Sequence, residues 1–152
     1  MARIVAGVVA RELKQTRAFT SREQEVMLGL QLVVARLMEP WEKFLKSTAE
    51  LTLHQYNVLR ILRGSHPTGL PSGEIATRMI SRDPDITRLV HGLEKRGLVA
   101  PLRARQDRRV VEVAITDNGL ELLRTLDEHV ERFPRNMLGH LGQKKLEQLG
   151  VL

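Results

Sequence analysis

Between Thr20 and about residue 47 an apolar side chain returns every three or four positions. Leu30, Val34, Leu37, Trp41 and Phe44 recur at alternating steps of four and three, the spacing that gathers side chains on one stripe of an α-helix. Thr20-Ser21-Arg22-Glu23 reads as a capping box at its start, with Thr20 and Glu23 as the reciprocal pair. Pro40 predicts a kink within it. The stripe is longer than a small domain needs for its own core, and it suits packing against a second chain, so half of a dimer interface is expected here. Residues 1–19, by contrast, form an arm whose apolar positions have no evident partner.

The period resumes after Thr52, a predicted N-cap, with Leu53, Tyr56, Leu59 and Ile61/Leu62 at helical spacing until "GSHPTGLPSG" breaks it. The second helix should end near Arg63. Ser72 is expected to cap a short helix over "GEIATRMI". "SRDPD" then interrupts, and a helix over "DITRLVHGLEKRG" is expected to start with Asp83 as N-cap and Pro84 in first position, and to stop at Gly97. The pattern next changes to period two: "LVAPLRA" and "RVVEVAI" predict a hairpin, with Pro101 confined to an edge strand. Thr116-Asp117-Asn118 caps a helix with Leu122/Leu123, Leu126, Val130 and Phe133 on one side, which Pro134 should terminate. An amphipathic segment over residues 136–149 closes the chain.

Composition narrows the possibilities. In 152 residues, Lys and Arg number 24 against 18 Asp and Glu, a net charge of +6, which favours a polyanionic partner. Cysteine is absent. There is then no disulfide, thiolate nucleophile or Cys-type zinc site, and a reducing cytoplasm is the expected setting. "IVAGVVA" imitates a signal h-region but is short and closed off by Arg11, Glu12 and Lys14. No apolar run approaches the roughly 20 residues of a membrane span, so a soluble protein with no membrane partner is expected.

The most informative stretch pairs the helix before Gly97 with the hairpin after it. At about 100° per residue, Ile86, Leu89, Val90 and Leu93 share one face, and Thr87, Arg88, His91 and Lys95 the other. Such a polar face is usually a solvated surface, but its groups are long enough to reach base edges in a major groove. The hairpin tip carries Arg103, Arg105, Arg108 and Arg109 around a single acid, Asp107. Clustered arginines suit phosphates and a narrow, negative minor groove. Asp107 can accept hydrogen bonds from turn amides and from Arg109, which organises the cluster and lowers the entropy lost on docking. Asp85 faces the positive end of the helix dipole and can also accept from cytosine N4.

Three helices followed by a charged hairpin, flanked by association helices, is the layout of a mainly α fold with a small β-wing: a winged helix-turn-helix embedded in a helical dimerisation scaffold. "LTLHQYNVLRIL", "GEIATRMISRDPDITRLVHGLEKRGLV", "RQDRRVVEVAIT" and "DNGLELL" together resemble the multiple-antibiotic-resistance regulator (MarR) family, in register over residues 51–124. The resemblance implies a wing arginine in the minor groove, held by the carboxylate two residues earlier. It also implies an effector crevice bounded by the helices that carry Trp41, Phe44 and Tyr56, taking a small aromatic or acidic ligand. On the residues alone these aromatics read as core. "SRDPDI" departs from the family's Ser/Thr-rich helix start, and Gly92 stands where many relatives have a longer polar residue.

The expectation is therefore a DNA-binding transcriptional regulator, a ligand-responsive repressor acting as a homodimer on a pseudo-palindromic duplex. Its organisation would be an arm and dimerisation helix (1–50), a DNA-binding lobe (51–116) and C-terminal dimerisation helices (117–152). Asp85, Thr87, Arg88, His91, Lys95, Arg105, Asp107, Arg108 and Arg109 are the candidate DNA contacts. The alternative is a winged-helix module that binds protein or structured RNA without operator specificity. "DEHVER" spreads its acids and His129 around a helix axis without a His-x3-His pair, so neither a metal nor another cofactor is expected. No nucleophile-base order or glycine-rich phosphate loop points to an enzyme.

Overall fold

A computed structural model describes residues 7–81, 85–103 and 111–151. The chain divides into two compact units, residues 1–41 and 42–152. In the first, α1 (Val8–Glu12) accompanies the N-terminal part of α2 (Arg22–Ala49), and Glu12 forms an ion pair with Arg36. At the start of α2 the side-chain bonds run to Gln24 in place of the expected Glu23. Ser21 Oγ accepts from the Gln24 amide at 3.2 Å, while Gln24 Oε1 accepts from the Thr20 amide at 2.8 Å. α2 extends through Pro40 to Ala49. Its predicted stripe is not uniform: Leu30 and Val34 are 61% and 57% exposed, whereas Trp41 is buried.

The second unit holds the main core. α3 (Leu53–Ser65) begins at a full capping box, with Thr52 and Gln55 bonded reciprocally, and runs two residues past the expected end. Its Val58, Leu59 and Leu62 are fully buried, together with Leu45, Leu51, Ile75, Leu93, Leu123 and Leu126 from neighbouring elements. α4 (Ser72–Arg78) and α5 (Ile86–Lys95) pack against α3 and each other. Ser72 is not a cap: it is the first helical residue, after an extended Pro71 that offers no side-chain bond.

A three-stranded antiparallel sheet has the order β1-β3-β2, built from β1 (Leu70–Pro71), β2 (Val99–Arg103) and β3 (Val111–Ile115). The hairpin register pairs Val99 with Ile115 and Pro101 with Val113. Pro101 therefore lies in an edge strand, where its missing N–H is tolerated. β1 was not expected, since two residues inside a Gly/Pro-rich stretch are too few to show a period. α6 (Asp117–Leu138) does not stop at Pro134 but runs on to Leu138. Pro134 is exposed, so water can satisfy the carbonyl that its missing N–H leaves free, and Phe133, Met137 and Leu138 continue a half-buried side. A 3-10 turn (Gly139–Leu141) and α7 (Gln143–Gly150) follow.

The corner between α5 and the sheet is closely held. Gly97 has φ of 67°, a left-handed conformation that glycine adopts without steric cost. Its amide bonds the Glu94 carbonyl, and the Leu98 amide bonds that of Leu93, which closes the helix in a Schellman motif. Thr116 caps α6 through the Gly119 amide, donates its hydroxyl to the Gly97 carbonyl at 2.7 Å, and donates its amide to the Leu98 carbonyl. α6 can approach this closely only because residue 119 lacks a side chain: a Cβ there would lie 2.3 Å from the Leu98 oxygen and 2.7 Å from Ile115 Cγ1.

Gly119→Ala should therefore destabilise the protein by about 1–3 kcal/mol, because the obstructing atom is backbone and cannot turn aside. Gly64→Ala, where a new methyl meets nothing within 4 Å, serves as the control and should be neutral or stabilising in the same denaturant titrations. Equal stabilities for the two variants would refute the packing argument.

Candidate nucleic-acid interface

α5 separates apolar from polar side chains as its sequence predicts. Ile86 and Leu93 are buried, Leu89 and Val90 half-buried, and Thr87, Arg88, His91 and Lys95 exposed. The helix starts later than expected: Asp85 is its N-cap, and the carboxylate accepts from the Arg88 amide at 3.1 Å. Asp83 and Pro84, expected at cap and first position, lie outside the described residues. A cap at Asp85 already satisfies an orphan amide, so the helix does not need a second cap two residues earlier.

A shallow groove runs between the outer side of α5 and the first turn of α3, joining Arg88, His91 and Lys95 to His54 and Gln55. The α3 residues were not candidates from sequence, because 30 or more positions separate them from α5 and only packing brings them together. Gly92 belongs here too. A Cβ on it would lie 3.3 Å from the amide nitrogen of Gln55, whose carbonyl oxygen is held in the Thr52 capping box. The missing side chain thus leaves room for Gln55 as well as removing a possible contact.

Several other cations are matched. Arg63 meets Asp127 at 2.7 Å, Arg78 meets Glu74 at 2.8 Å, and Arg124 and Arg132 each pair with a glutamate on their own helix. Among the described residues no carboxylate forms an ion pair with Arg88 or Lys95. Two further roles escaped the sequence reading. Arg96 donates to the carbonyls of Ala49 and Glu50, both at 2.8 Å, at the C-terminal end of α2. Buried Asn57 accepts from both Nε and Nη2 of Arg60.

Comparison with known proteins agrees with this architecture. The MarR family profile matches residues 51–111. The crystal structure of a MarR transcription factor from Planctomyces limnophilus is 44% identical, covering 87% of this chain and 95% of that one, with a TM-score of 0.65. The chain belongs to the MarR family. The transcriptional repressor IacR of Pseudomonas putida is 31% identical over 108 residues, which span 70% of this chain and 63% of the repressor. A MarR family regulator of Streptomyces coelicolor solved in complex with DNA shares the fold at 22% identity and a TM-score of 0.74, covering 90% of this chain and 86% of that one.

Arg105, Asp107, Arg108 and Arg109 lie outside the described residues, as do all of residues 104–110. Of the aromatic effector candidates, Trp41 and Tyr56 are buried. Phe44 is half-buried and stacks on His129, with ring centroids 3.5 Å apart and planes inclined by 12°. His129 in turn lies 6.0 Å from the Phe133 ring. Among the described residues no three His, Asp or Glu side chains converge as metal ligands would. None of the described helices is long and apolar enough to cross a membrane.

Burial pushes the Tyr56 phenol above its ordinary 10.0; Arg63 and Arg60 pull it down, and Asp127 adds to the rise. Tyr56 is the single tyrosine of the chain, so the ultraviolet absorbance of tyrosinate reads it alone. The native protein should titrate above the denatured one. Its contribution to stability should be full below 10.0 and be lost as pH rises through the folded-state value. Coincident native and denatured titration curves would show that the phenol is not held away from water.

Proposed function

We propose that this protein is a sequence-specific double-stranded DNA-binding transcriptional regulator, a ligand-responsive repressor that acts as a cytoplasmic homodimer on a pseudo-palindromic operator. The observation that carries the reading is the exposed side of α5, where Arg88 and Lys95 stand without a carboxylate partner among the described residues. Repressor activity is supported by the likeness to IacR, and DNA binding by the family and by the Streptomyces complex.

In this reading α5 is the recognition helix. Arg88, His91, Thr87 and Lys95 face base edges and phosphates of a major groove, and Asp85 lies at the groove floor. The wing, through Arg105, Arg108 and Arg109 with Asp107 as organiser, reaches the neighbouring minor groove. Residues 1–50 and 117–152 supply the dimer scaffold, with Val26, Met27, Leu30, Val33 and Val34 as an exposed apolar strip on α2. Two-fold symmetry then sets the recognition helices about one turn apart, roughly 34–36 Å. A small aromatic or acidic effector that favours another separation weakens operator binding by its differential affinity for the two states, about 1.4 kcal/mol for each tenfold.

Selection from a random duplex pool should return one half-site motif repeated with inverted symmetry. Arg88→Ala should lose about 1–3 kcal/mol of discrimination at one base position. Arg109→Ala should weaken all duplexes alike and flatten the salt dependence by about one phosphate's worth of slope. No enrichment over random DNA would favour a protein- or RNA-binding winged-helix module instead. Sedimentation should give a dimer at micromolar concentration, and a monomer would remove the half-site geometry.

A further inference from the structure

The groove beside α5 contains two imidazoles: His91, already placed among the DNA contacts, and His54, which has no role there. His54 projects from the first turn of α3 and His91 from α5. Both are exposed, both line the same depression, and neither has a hydrogen-bond partner among the described residues. Building on the proposed DNA-binding role, we infer that His54 and His91 take up protons when this groove meets the DNA backbone, so that operator affinity is set by pH.

The surroundings carry charges of both signs. On the α5 side the groove presents Asp85, Arg88 and Lys95. His54 also borders a second depression with Glu42, Lys46 and Glu50 from α2 and the turn after it. Each imidazole thus has charges of both signs nearby. α4 brings Glu74 and Arg78, which neutralise one another, and the arginines of α3 are engaged by Asn57 and Asp127. β2 meets α5 with Val99 buried.

Arg88 and Lys95 are the cations that line the groove with His91. Phosphates arriving in the groove would add negative charge and screen those two cations, so both effects favour imidazolium in the complex. A histidine whose pKa rises on binding strengthens the complex fully below its free value. The gain is lost as pH climbs through the value in the complex. With an ordinary histidine near pH 6.5, the window lies in the physiological range.

The test is filter retention of a radiolabelled mixed-sequence duplex spanning three helical turns, measured at fixed ionic strength across the window. Between about pH 7.5 and 5.5, affinity should rise about fivefold for each histidine whose pKa the complex raises by one unit. His54→Gln and His91→Gln should each remove part of that slope, and the double variant should remove it. His140→Gln, on the 3-10 turn and lining neither depression, should leave it unchanged. Binding that is tight but flat with pH, or a slope that survives in the double variant, would overturn the inference and leave DNA binding intact. No retention at any pH would instead sink the DNA-binding reading beneath it.

Discussion

Lys95, Arg96 and Gly97 turn the chain out of α5, and each of the three is committed to a different neighbour. Lys95 faces the groove. Arg96 grips the last carbonyls around the end of α2 with both arms of its guanidinium. Gly97 turns left-handed and receives the Thr116 hydroxyl. Hydrogen bonds from a charged donor contribute roughly 1.5–3 kcal/mol each, and here they tie the residue that follows α5 to the backbone at the end of α2. This end of α5 is the pivot about which the exposed side would swing. Fixing it, with Asp85 fixing the other, sets which side chains α5 presents and leaves little rotation to be frozen out when a ligand docks. The same corner starts β2 and, through Gly119, seats α6 against Leu98. Helix and hairpin are thus oriented by one cluster of short-range contacts.

The pattern of ion pairs gives that geometry an electrostatic meaning. An exposed pair contributes little to stability, about 0–1 kcal/mol, but it does neutralise its own field beyond a few ångströms. Arg63, Arg78, Arg124 and Arg132 are matched in this way. Arg88 and Lys95 are not matched within the described residues. With a Debye length of about 8–10 Å at ordinary salt, unpaired cations act on a polyanion lying in contact with them and scarcely beyond. The net charge of +6 therefore matters less than its local distribution.

Features governed by neighbouring residues were legible in the sequence. The caps at Thr52 and Thr116, the stop at Gly97, the two-faced α5 and the edge placement of Pro101 all depend on a handful of adjacent positions. The family resemblance rests on the same stretches. What could not be read depends on distant pairs or on a balance of terms. Arg96 meets carbonyls 46 and 47 residues away, and His54 and Gln55 meet α5 only after packing. β1 is two residues long and owes its place to pairing with β3. At Pro134 the expected break follows from a local cost of about 3 kcal/mol, yet the helix persists because the apolar positions beyond it still have a surface to cover.

Asp85 illustrates how one residue can serve stability against charge. As an N-cap it accepts the Arg88 amide, a bond whose loss typically costs 0.5–2 kcal/mol. A carboxylate near a phosphate is repulsive by about 1 kcal/mol at 4 Å in water, and by less once salt intervenes. The two magnitudes are comparable, so retaining the acid carries no net penalty if phosphates keep a few ångströms away. Serine would cap nearly as well without the charge. What the carboxylate adds is a second oxygen, free to accept from an amino group on a base edge and unable to tolerate a carbonyl there. In the proposed complex its contribution would be discrimination at one base pair, with the helix start secured by the same side chain.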